Sequence, residues 1–539
     1  MNQRPSRRLA FCLARTLLAL LVVCALTRSA PAETRLPHML SDHAVLQRGR
    51  PIHIWGWDDP SATVSIDFRK QHITVTADKL GAWSAWLNPE PAGGPDTLTI
   101  HGTSTITLSD ILVGDVWFAS GQSNMEIPLR GFPGSAVIKD ADELIAAADQ
   151  PQTCGQIHLL RFDKKSNDFP LDDQPASWTQ CNSATATEFS AVAYLFGLDI
   201  QHREHIPIGL IDSTWGGTPI SSWISLNALA ADSAFMPVFA ARARFASLQT
   251  HLAAQQAYEQ RAIDAAKAAN QPVPQFQWHP FEGSWEPAFL FNGMIAPATP
   301  YTIRGFLWYQ GETDSGSQLT PQLYHRLFPA MIRDWRTRWN EGDLPFLFVQ
   351  ISSFYSPNED WGMIRDAQRQ TLSLTNTAMA VSLDVGLHDN VHPPDKQTVA
   401  ARLALGARDL VYGEHGAHGE PLEDSGPLPL SVTTTPSGDA LRVWFAHAEG
   451  LHATDTNSSV SSDKKVLGFE LAGPDGRFQP ADATIDGTSV LVHSAAISHP
   501  VAVRYAWASF TDANLYNNAN LPASTFQWPE PNEPSIASH

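Results

Sequence analysis

The chain has 539 residues, of which 43% are hydrophobic and 17% charged, and it carries a formal net charge of −19. This length and apolar content predict several hydrophobic cores and roughly three domains. Beyond residue 32 the sequence has no cluster of lysine and arginine that would neutralise phosphates, which argues against a nucleic-acid partner.

The first 32 residues have the pattern of a secretory signal peptide. Four arginines precede or flank an apolar run over residues 17–26, and Ala30-Pro31-Ala32 forms a small-x-small cleavage site. The run is shorter than the roughly 20 residues that a membrane span needs. We therefore expect an exported protein, periplasmic or extracellular, with no membrane segment after signal removal. An uncleaved anchor is the alternative.

Two cysteines, Cys154 and Cys181, lie beyond the predicted signal peptide. An even number of cysteines in an exported chain predicts one disulfide, and two buried thiols are the alternative. The sequence contains no CxxC pair and no HExxH motif, so it predicts no structural zinc site.

The rest of the chain divides into two β regions around a mixed α/β region. Residues 33–107 contain short runs with a period of two, such as 51–57 and 64–68, separated by Pro, Gly and Asp, and they predict a small antiparallel β-sandwich. Residues 416–528 alternate in the same way and predict a second sandwich. The tail, residues 529–539, is rich in Pro, Glu and Ser and is predicted to be disordered.

Residues 108–415 form the α/β region. Six short apolar runs alternate there with helical patterns; they cover residues 111–119, 157–162, 206–211, 305–309, 346–351 and 379–383. This alternation predicts a parallel sheet with helices on both faces, in which ligands bind beyond the carboxyl ends of the strands. The Ala-rich residues 240–270 are interpreted as part of a helical insertion, at about residues 225–285, near the site. An ordinary packing helix is the alternative.

Ser123 lies where the first of these strands would hand over to a helix, in Ser-Gly-Gln-Ser-Asn-Met-Glu at residues 120–126. The unpaired N–H groups of a helix N-terminus favour the negative charge that develops on an attacked carbonyl oxygen. A serine hydroxyl also needs a base before it can act as a nucleophile. An ordinary polar turn is the alternative, and the Gly-x-Ser-x-Gly elbow is absent because its second glycine position is Met125.

A candidate base follows the last strand of the region. Asp389 and His392 are three residues apart, directly before Pro393. In a short loop this spacing allows a carboxylate to hold the imidazole in one tautomer while the other ring nitrogen faces a serine. His388 is a competitor that lacks such a spacing.

Candidate oxyanion donors occur in two further loops, at Gly216-Gly217 and at Gln310. Glycine lets the backbone approach a ligand closely, and an amide side chain can donate to an oxyanion. The alternative for the two glycines is a tight turn without a role in catalysis.

These blocks, taken in order, resemble the SGNH/GDSL hydrolases, and within them the sialate O-acetylesterases. The resemblance extends through the chain after the signal peptide. It is carried by residues 40–48 with Trp55-Gly56-Trp57, 121–126 (GQSNME), 212–219 (DSTWGGTP), 291–295 (FNGMI), 308–312 (WYQGE), 514–517 (NLYN) and 521–524 (LPAS). Each block alone is a weak signal, whereas the ordered set is specific.

The resemblance implies a flavodoxin-like SGNH hydrolase domain of three layers, flanked by the two β-sandwich modules. It also implies an esterase that removes acetyl groups from sugar hydroxyls, with Ser123 as nucleophile and His392 as general base. The backbone N–H groups of Ser123 and of Gly216 or Gly217 would form the oxyanion hole with the Gln310 side chain. Neither a metal nor an organic cofactor is implied.

The acid of the triad is where the sequence departs from many relatives. They read Asp-Ile-His-Pro, whereas this chain has Asn390 two residues before His392. Asp389 is therefore the predicted acid, Asp384 is a second candidate, and a dyad without an acid is a third possibility.

Three more residues match family runs and are candidates for substrate contact or site support. Asn124 is next to the nucleophile, Glu312 follows Gln310 and could fix its loop, and Arg365 could clamp a sugar carboxylate or serve as a structural ion-pair residue.

The predicted substrate is an acetylated carbohydrate, of the kind that a sialate 9-O-acetylesterase uses. Acetyl xylan or another plant polysaccharide is an alternative, because the acidic chain would repel an anionic sugar. A non-catalytic glycan-binding protein on the same scaffold is the rival of another class. The sequence does not indicate an oligomeric state.

Overall fold

The structure is a computed structural model that describes residues 33–530 except for residues 275, 277, 317–320, 417, 455–459 and 462–464. The predicted signal peptide, and the predicted tail beyond residue 530, lie outside the described residues. Within this part of the chain, no helix has both the length and the apolar character that crossing a membrane requires.

The described chain forms two compact units. The first comprises residues 33–37, 53–87 and 97–108. Its strand Thr63–Phe68 pairs antiparallel with Gln71–Thr76 and with the end of Gly93–His101, and Ile52–Trp57 pairs with Ala82–Leu87. Val64, Ile66, Phe68, Leu98 and Ile100 are buried on this sheet. The boundaries of the predicted modules at residues 107 and 415, and their description as sandwiches, stay predictions.

The second unit comprises residues 38–52, 88–96 and those from 109 onward. Its central sheet has the strand order Thr377–Val381, Phe346–Gln350, Gly305–Tyr309, Thr105–Gly121, Ile208–Thr214, Ile157–Arg161, and all five of these pairs are parallel. Trp178–Gln180 adds an antiparallel edge strand, and Val45–Gln47 pairs parallel with residues 112–114. The predicted α/β region with a parallel sheet is confirmed.

Helices cover both faces of this sheet. Trp117 packs against Phe196 of helix Ala191–Glu204, with ring centroids 5.0 Å apart. The next residue, Phe118, contacts Trp339 of helix Tyr324–Trp339 at 5.4 Å. Because successive residues of a strand point to opposite faces, these two helices lie on opposite sides. The other helices are Ser123–Glu126, Ala141–Ala147, Pro151–Cys154, Ser183–Thr187, Leu226–Ala231, Met236–Ala268, Trp361–Gln370 and Lys396–Leu410, with a π-helical turn at Phe291–Ile295.

The chain after the last helix is built from antiparallel strands. One four-stranded sheet has the order Leu428–Thr434, Ala440–Ala446, Ser489–His493, Asp482–Asp486, and another the order Phe478–Pro480, Phe469–Ala472, Ala502–Tyr505, Phe526–Trp528. A smaller sheet joins Val460–Ser461, His452–Thr454 and Leu515–Tyr516. The rings of Phe445 and Phe526, one from each four-stranded sheet, are 5.9 Å apart.

Cys154 and Cys181 are joined by a disulfide. It links the helix Pro151–Cys154 to the chain just beyond the edge strand Trp178–Gln180. Of the two alternatives that the sequence left open, the structure has the disulfide.

Candidate functional site

Ser123 lies beyond the carboxyl end of strand Thr105–Gly121, as the first residue of the short helix Ser123–Glu126. Gly121 has a φ of +135°, and a Cβ there would lie 2.2 Å from the carbonyl oxygen of Tyr309. Glycine is therefore required where the chain leaves the sheet. The Gln122 N–H donates to the Tyr309 carbonyl (3.0 Å) and the Trp215 N–H to the Gly121 carbonyl (3.0 Å), which fixes Ser123 between the two neighbouring strand ends.

The structure brings His392 to Ser123. The distance from His392 Nε2 to Ser123 Oγ is 2.9 Å, although 269 residues separate them in the chain. Burial, together with the positive charge of Lys396, lowers the pKa of His392 to about 4. The ring is therefore neutral at pH 7, and a neutral imidazole nitrogen can accept the proton of the serine hydroxyl.

The His392 ring also has a hydrogen-bond partner in the backbone of Ser135, and since Nε2 faces Ser123, we infer that Nδ1 makes this contact. The Ser135 carbonyl also accepts a hydrogen bond from Asn390 Nδ2 (3.2 Å), and Asn390 Oδ1 accepts one from the His392 backbone N–H (2.9 Å). An Nδ1–H that donates to a carbonyl leaves Nε2 as the acceptor, so this contact selects the tautomer that a base needs. Asn390 thus holds the loop around this carbonyl.

Neither predicted acid reaches His392. The Asp389 side chain is 92% exposed and accepts a hydrogen bond from Nδ1 of His388, whose ring stacks on Tyr355 at 4.6 Å. Asp384 is bound by two nitrogens of Arg402, each at 2.7 Å. The prediction that Asp389 orients His392 therefore does not match the structure, because the turn directs this carboxylate to solvent.

The two glycines of the predicted oxyanion hole lie beside Ser123. A Cβ built on Gly216 would be 3.2 Å from the Cβ of Ser123. The Gly216 N–H, however, donates to Glu126 Oε2 (2.5 Å), and Lys164 Nζ holds the other oxygen of that carboxylate at 2.5 Å. Gly217 has a φ of +69°, and its carbonyl accepts a hydrogen bond from Trp285 Nε1 (2.6 Å). An acyl oxygen would therefore have to replace Glu126 at the Gly216 N–H.

Gln310 is not an oxyanion donor in this structure. Its side chain is buried, and Nε2 donates to the Thr218 carbonyl (3.1 Å) and to Asp314 Oδ2 (2.5 Å). Its Oε1 accepts a hydrogen bond from the Tyr324 hydroxyl (2.9 Å). These buried partners occupy both N–H groups of the amide, so the predicted role of Gln310 is corrected to support of the loop.

Asn124 and Glu312 belong to a buried polar network beneath the histidine loop. Asn124 Nδ2 donates to Glu312 Oε1 (2.5 Å) and to the carbonyl of Val391 (3.0 Å), the residue before His392. Lys396 Nζ donates to Asn124 Oδ1 (2.6 Å). Burial raises the pKa of Glu312 and lowers that of Lys396 to about 7. Both residues are therefore candidates for site support, and neither is placed to contact a substrate.

Arg365 is buried, and its contacts are not those of a substrate clamp. Its guanidinium donates to the carbonyls of Ala506 (3.3 Å), Ala508 (2.6 Å) and Ser509 (3.0 Å) in the C-terminal region. Burial lowers its pKa to about 9. The expectation that Arg365 clamps a sugar carboxylate, or serves as an ion-pair residue, is replaced by a role in holding backbone carbonyls.

Sequence reasoning missed Glu126, Ser135 and Lys396. Glu126 lies three residues after Ser123 on the same helix, a spacing that places two side chains near each other and could have drawn attention to it. Ser135 acts through its backbone carbonyl, for which no side-chain pattern exists. Lys396 is a single lysine one turn after His392, and only its burial distinguishes it.

A cluster that could hold a metal ion occurs elsewhere in the described residues. Glu423, Asp424 and His447 offer ligand atoms within 4.8 Å of one another. His447 Nδ1 already pairs with Glu423 Oε1 at 2.6 Å. These three residues are not part of the cluster around Ser123.

Comparisons with known proteins agree on one kind of enzyme. Residues 276–408 match the family described as carbohydrate esterase, sialic acid-specific acetylesterase. The sialate O-acetylesterase of Mus musculus is 29% identical over 557 residues, which cover 94% of this chain and 97% of the mouse protein. The Homo sapiens enzyme is also 29% identical and covers 93% of each chain. A crystal structure of a carbohydrate acetylesterase from Xanthomonas citri is 32% identical, with a TM-score of 0.75, and covers 92% of this chain and 99% of that one.

Proposed function

The chain belongs to the sialate O-acetylesterase family of carbohydrate esterases, and from this premise we propose that it removes acetyl groups from sugar hydroxyls through an acetyl-serine at Ser123. The observation that carries the proposal is the 2.9 Å contact between Ser123 Oγ and His392 Nε2. The activity as a carbohydrate acetylesterase follows from the family. The covalent mechanism and the site residues are the proposal.

Acyl transfer at this pair proceeds in two halves. In the first, Ser123 Oγ forms a bond to the acetyl carbonyl carbon while His392 Nε2 takes the hydroxyl proton, and the sugar oxygen leaves with that proton. In the second half, water gives a proton to His392 and its oxygen attacks the acetyl-serine, which releases acetate and restores Ser123. Both halves need a neutral His392 at the start, and its lowered pKa supplies this above about pH 4.

The negative oxygen of each tetrahedral intermediate needs donors. The backbone N–H groups of Ser123 and Gly216 are the proposed donors, because Gly216 lies against Ser123, with Gly217 next in the chain. Glu126 leaves Gly216 when the acyl oxygen arrives, and Lys164 retains the displaced carboxylate. Loss of one oxyanion donor typically lowers the rate by about 10²–10³.

We assign the pair as a dyad. The Ser135 carbonyl takes the place of the triad acid, because it contacts the ring nitrogen that a carboxylate would otherwise hold. A carbonyl fixes the tautomer as a carboxylate does, but it stabilises the imidazolium less because it carries no full charge.

The surrounding architecture and location are also proposals. An SGNH-type three-layer domain accounts for a serine at the carboxyl end of a central parallel strand. Export, to the periplasm or the exterior, accounts for the predicted signal peptide and for the disulfide between Cys154 and Cys181, since disulfides persist in oxidising compartments. Flanking β-sandwich modules account for the antiparallel strands at both ends of the chain.

The family and the net charge of the chain favour two different classes of substrate. An O-acetylated sialic acid is the substrate that the names of the relatives suggest. A neutral acetylated polysaccharide, such as acetyl xylan, is favoured by the formal net charge of −19, because like charges oppose the encounter with an anionic sugar.

The test is acetate release from a panel of acetylated sialic acids, xylo-oligosaccharides and simple pyranose acetates. We expect the wild type to release acetate, and Ser123→Ala and His392→Ala each to lose about 10³-fold or more in kcat. Ser135→Ala is the matched control: it keeps the backbone carbonyl, so its activity should stay close to that of the wild type. Equal rates for the wild type and Ser123→Ala would remove the serine mechanism.

A further inference from the structure

An exposed tryptophan lies directly against the glycine turn beside the nucleophile. Trp278 is 59% exposed, and its ring contacts Gly217, where an added Cβ would be 2.3 Å from the ring carbon Cζ2. Gly217 follows Gly216, which lies against Ser123. Since consecutive Cα atoms are about 3.8 Å apart, these contacts place the indole at most about 12 Å from the side chain of Ser123, within reach of a sugar bound at the serine.

Two contacts hold the chain that follows Trp278. Trp285 lies near the Trp278 ring, with centroids 6.3 Å apart, and its Nε1–H donates to the Gly217 carbonyl (2.6 Å). His279, the next residue, pairs with Glu259 of helix Met236–Ala268 through Nε2 (2.9 Å). The ring is therefore held in place, although much of its surface is open to solvent.

An exposed indole that the fold holds at this point calls for an explanation. Burying an aromatic ring is favourable, so a ring left open beside a reacting serine is a surface for a ligand. Pyranose rings present a face of C–H groups that packs flat on an indole, and the contact needs no charge. The acetyl carbonyl carbon is joined to the sugar through a single oxygen, so the sugar must lie close to the serine when the ester is bound.

We propose that the indole of Trp278 is the binding platform for the sugar ring that carries the scissile acetyl ester. The proposal rests on the proposed function. It assigns Trp278 to substrate binding and specificity and leaves the chemistry to Ser123 and His392. The proposal also gives glycine at position 217 a second role besides its positive φ, since any side chain there would displace the platform.

The experiment compares a sugar ester with an ester that has no ring. Glucose pentaacetate is the sugar probe and vinyl acetate is the ring-free probe. We expect Trp278→Leu to raise the KM for glucose pentaacetate about tenfold, as loss of a stacked ring would, and to leave kcat/KM for vinyl acetate within about twofold. Trp278→Phe, which keeps a flat aromatic face, should restore most of the affinity. Trp444→Leu, at a partly exposed tryptophan of the C-terminal strand Ala440–Ala446, is the matched control. It should change neither the KM for glucose pentaacetate nor the kcat/KM for vinyl acetate.

The outcomes separate this proposal from the function on which it rests. If Trp278→Leu hydrolyses glucose pentaacetate with wild-type KM, the proposal of a binding platform at Trp278 is wrong, whereas the proposed esterase function is unaffected. Equal losses on both substrates would also overturn the platform, because they would assign Trp278 to support of the glycine turn. If the wild type hydrolyses vinyl acetate but no sugar acetate, the proposed function and the platform both fail.

Discussion

Replacing Lys396 with methionine should move the acid limb of the pH profile. Lys396 is buried, and after burial its positive charge is the next largest cause of the lowered pKa of His392, which is about 4. The pKa of Lys396 is about 7, so the lysine is charged throughout the acid range in which His392 titrates. That charge opposes protonation of His392. Without it, the pKa of His392 rises toward its ordinary value near 6.5, while burial still holds it lower.

The size of the shift follows from Coulomb's law. If the two charges are taken to be about 8 Å apart, they interact by about 2 kcal/mol at an effective dielectric constant of 20, which corresponds to roughly 1.5 pKa units. Relaxation around the new methionine reduces this, so we expect the acid limb of kcat/KM to move up by about one pH unit. Activity at pH 5 should therefore fall relative to activity at pH 8.

The assay is acetate release between pH 3.5 and 8, with kcat/KM fitted to a single acid ionisation. Lys139→Met is the matched control, because Lys139 is exposed and its backbone N–H alone is tied to the histidine loop, at the Pro394 carbonyl (3.0 Å). An exposed charge is screened, so this variant should keep the wild-type profile. An acid limb that does not move in Lys396→Met, or that moves equally in both variants, would refute the reasoning.

The same substitution also has a cost in stability. Methionine leaves Asn124 Oδ1 without its donor and removes the positive charge that lies nearest to the buried Glu312. Breaking such a buried arrangement costs about 3 kcal/mol, so the free energy of unfolding should be measured first. The double variant Lys396→Met/Glu312→Gln removes the orphaned carboxylate and should recover part of this loss, which keeps the pH experiment accessible.

Three further outcomes are expected. Asp389→Asn should change kcat/KM by less than about threefold, because its carboxylate is turned to solvent; a loss of about 10⁴ would make it the triad acid after all. Arg365→Met should lower the free energy of unfolding, followed by urea denaturation, by about 3 kcal/mol, because the carbonyls of Ala506, Ala508 and Ser509 each lose a hydrogen bond to a buried charged donor; an unchanged midpoint would contradict this. Gln310→Leu should destabilise the protein by about 3 kcal/mol, since Asp314, Tyr324 and the Thr218 carbonyl each lose one buried hydrogen bond, yet the folded enzyme should lose less than about tenfold in kcat. A loss of about 10²–10³ in kcat at wild-type stability would return Gln310 to the oxyanion hole.

The central sheet could be predicted from sequence because its strands are buried on both faces. Such strands appear as continuous apolar runs, and all six predicted runs correspond to parallel strands, from Thr105–Gly121 to Thr377–Val381. The positions of Ser123 and His392 followed from these runs, since both residues come after strand ends that meet at one edge of the sheet. Strand pairing in the terminal regions was less predictable, because short alternating strands have several possible partners.

The direction of loop side chains could not be predicted from spacing. Asp389 is three residues from His392, but the turn that contains it is fixed by a stack between His388 and Tyr355 and by the Tyr355 N–H, which donates to the His388 carbonyl (3.1 Å). These contacts involve a residue from another strand end, and they rotate the carboxylate outward. A spacing specifies which loop carries a group, whereas packing against other loops decides where the group points.

Gln310 and Arg365 show why a specific motif is not always a catalytic one. Both residues lie in runs that match the family, and both are buried with their donors occupied. A buried donor left without its partners lowers the free energy of unfolding by about 1–3 kcal/mol. The position of such a residue therefore tolerates few other residue types, as the position of a nucleophile does. The polar residues beneath a site and those at its surface therefore leave the same signal in the sequence. Only the direction of their hydrogen bonds separates them, and here that direction places Gln310, Asn124 and Lys396 in support and favours the proposal that Ser123 and His392 carry the chemistry.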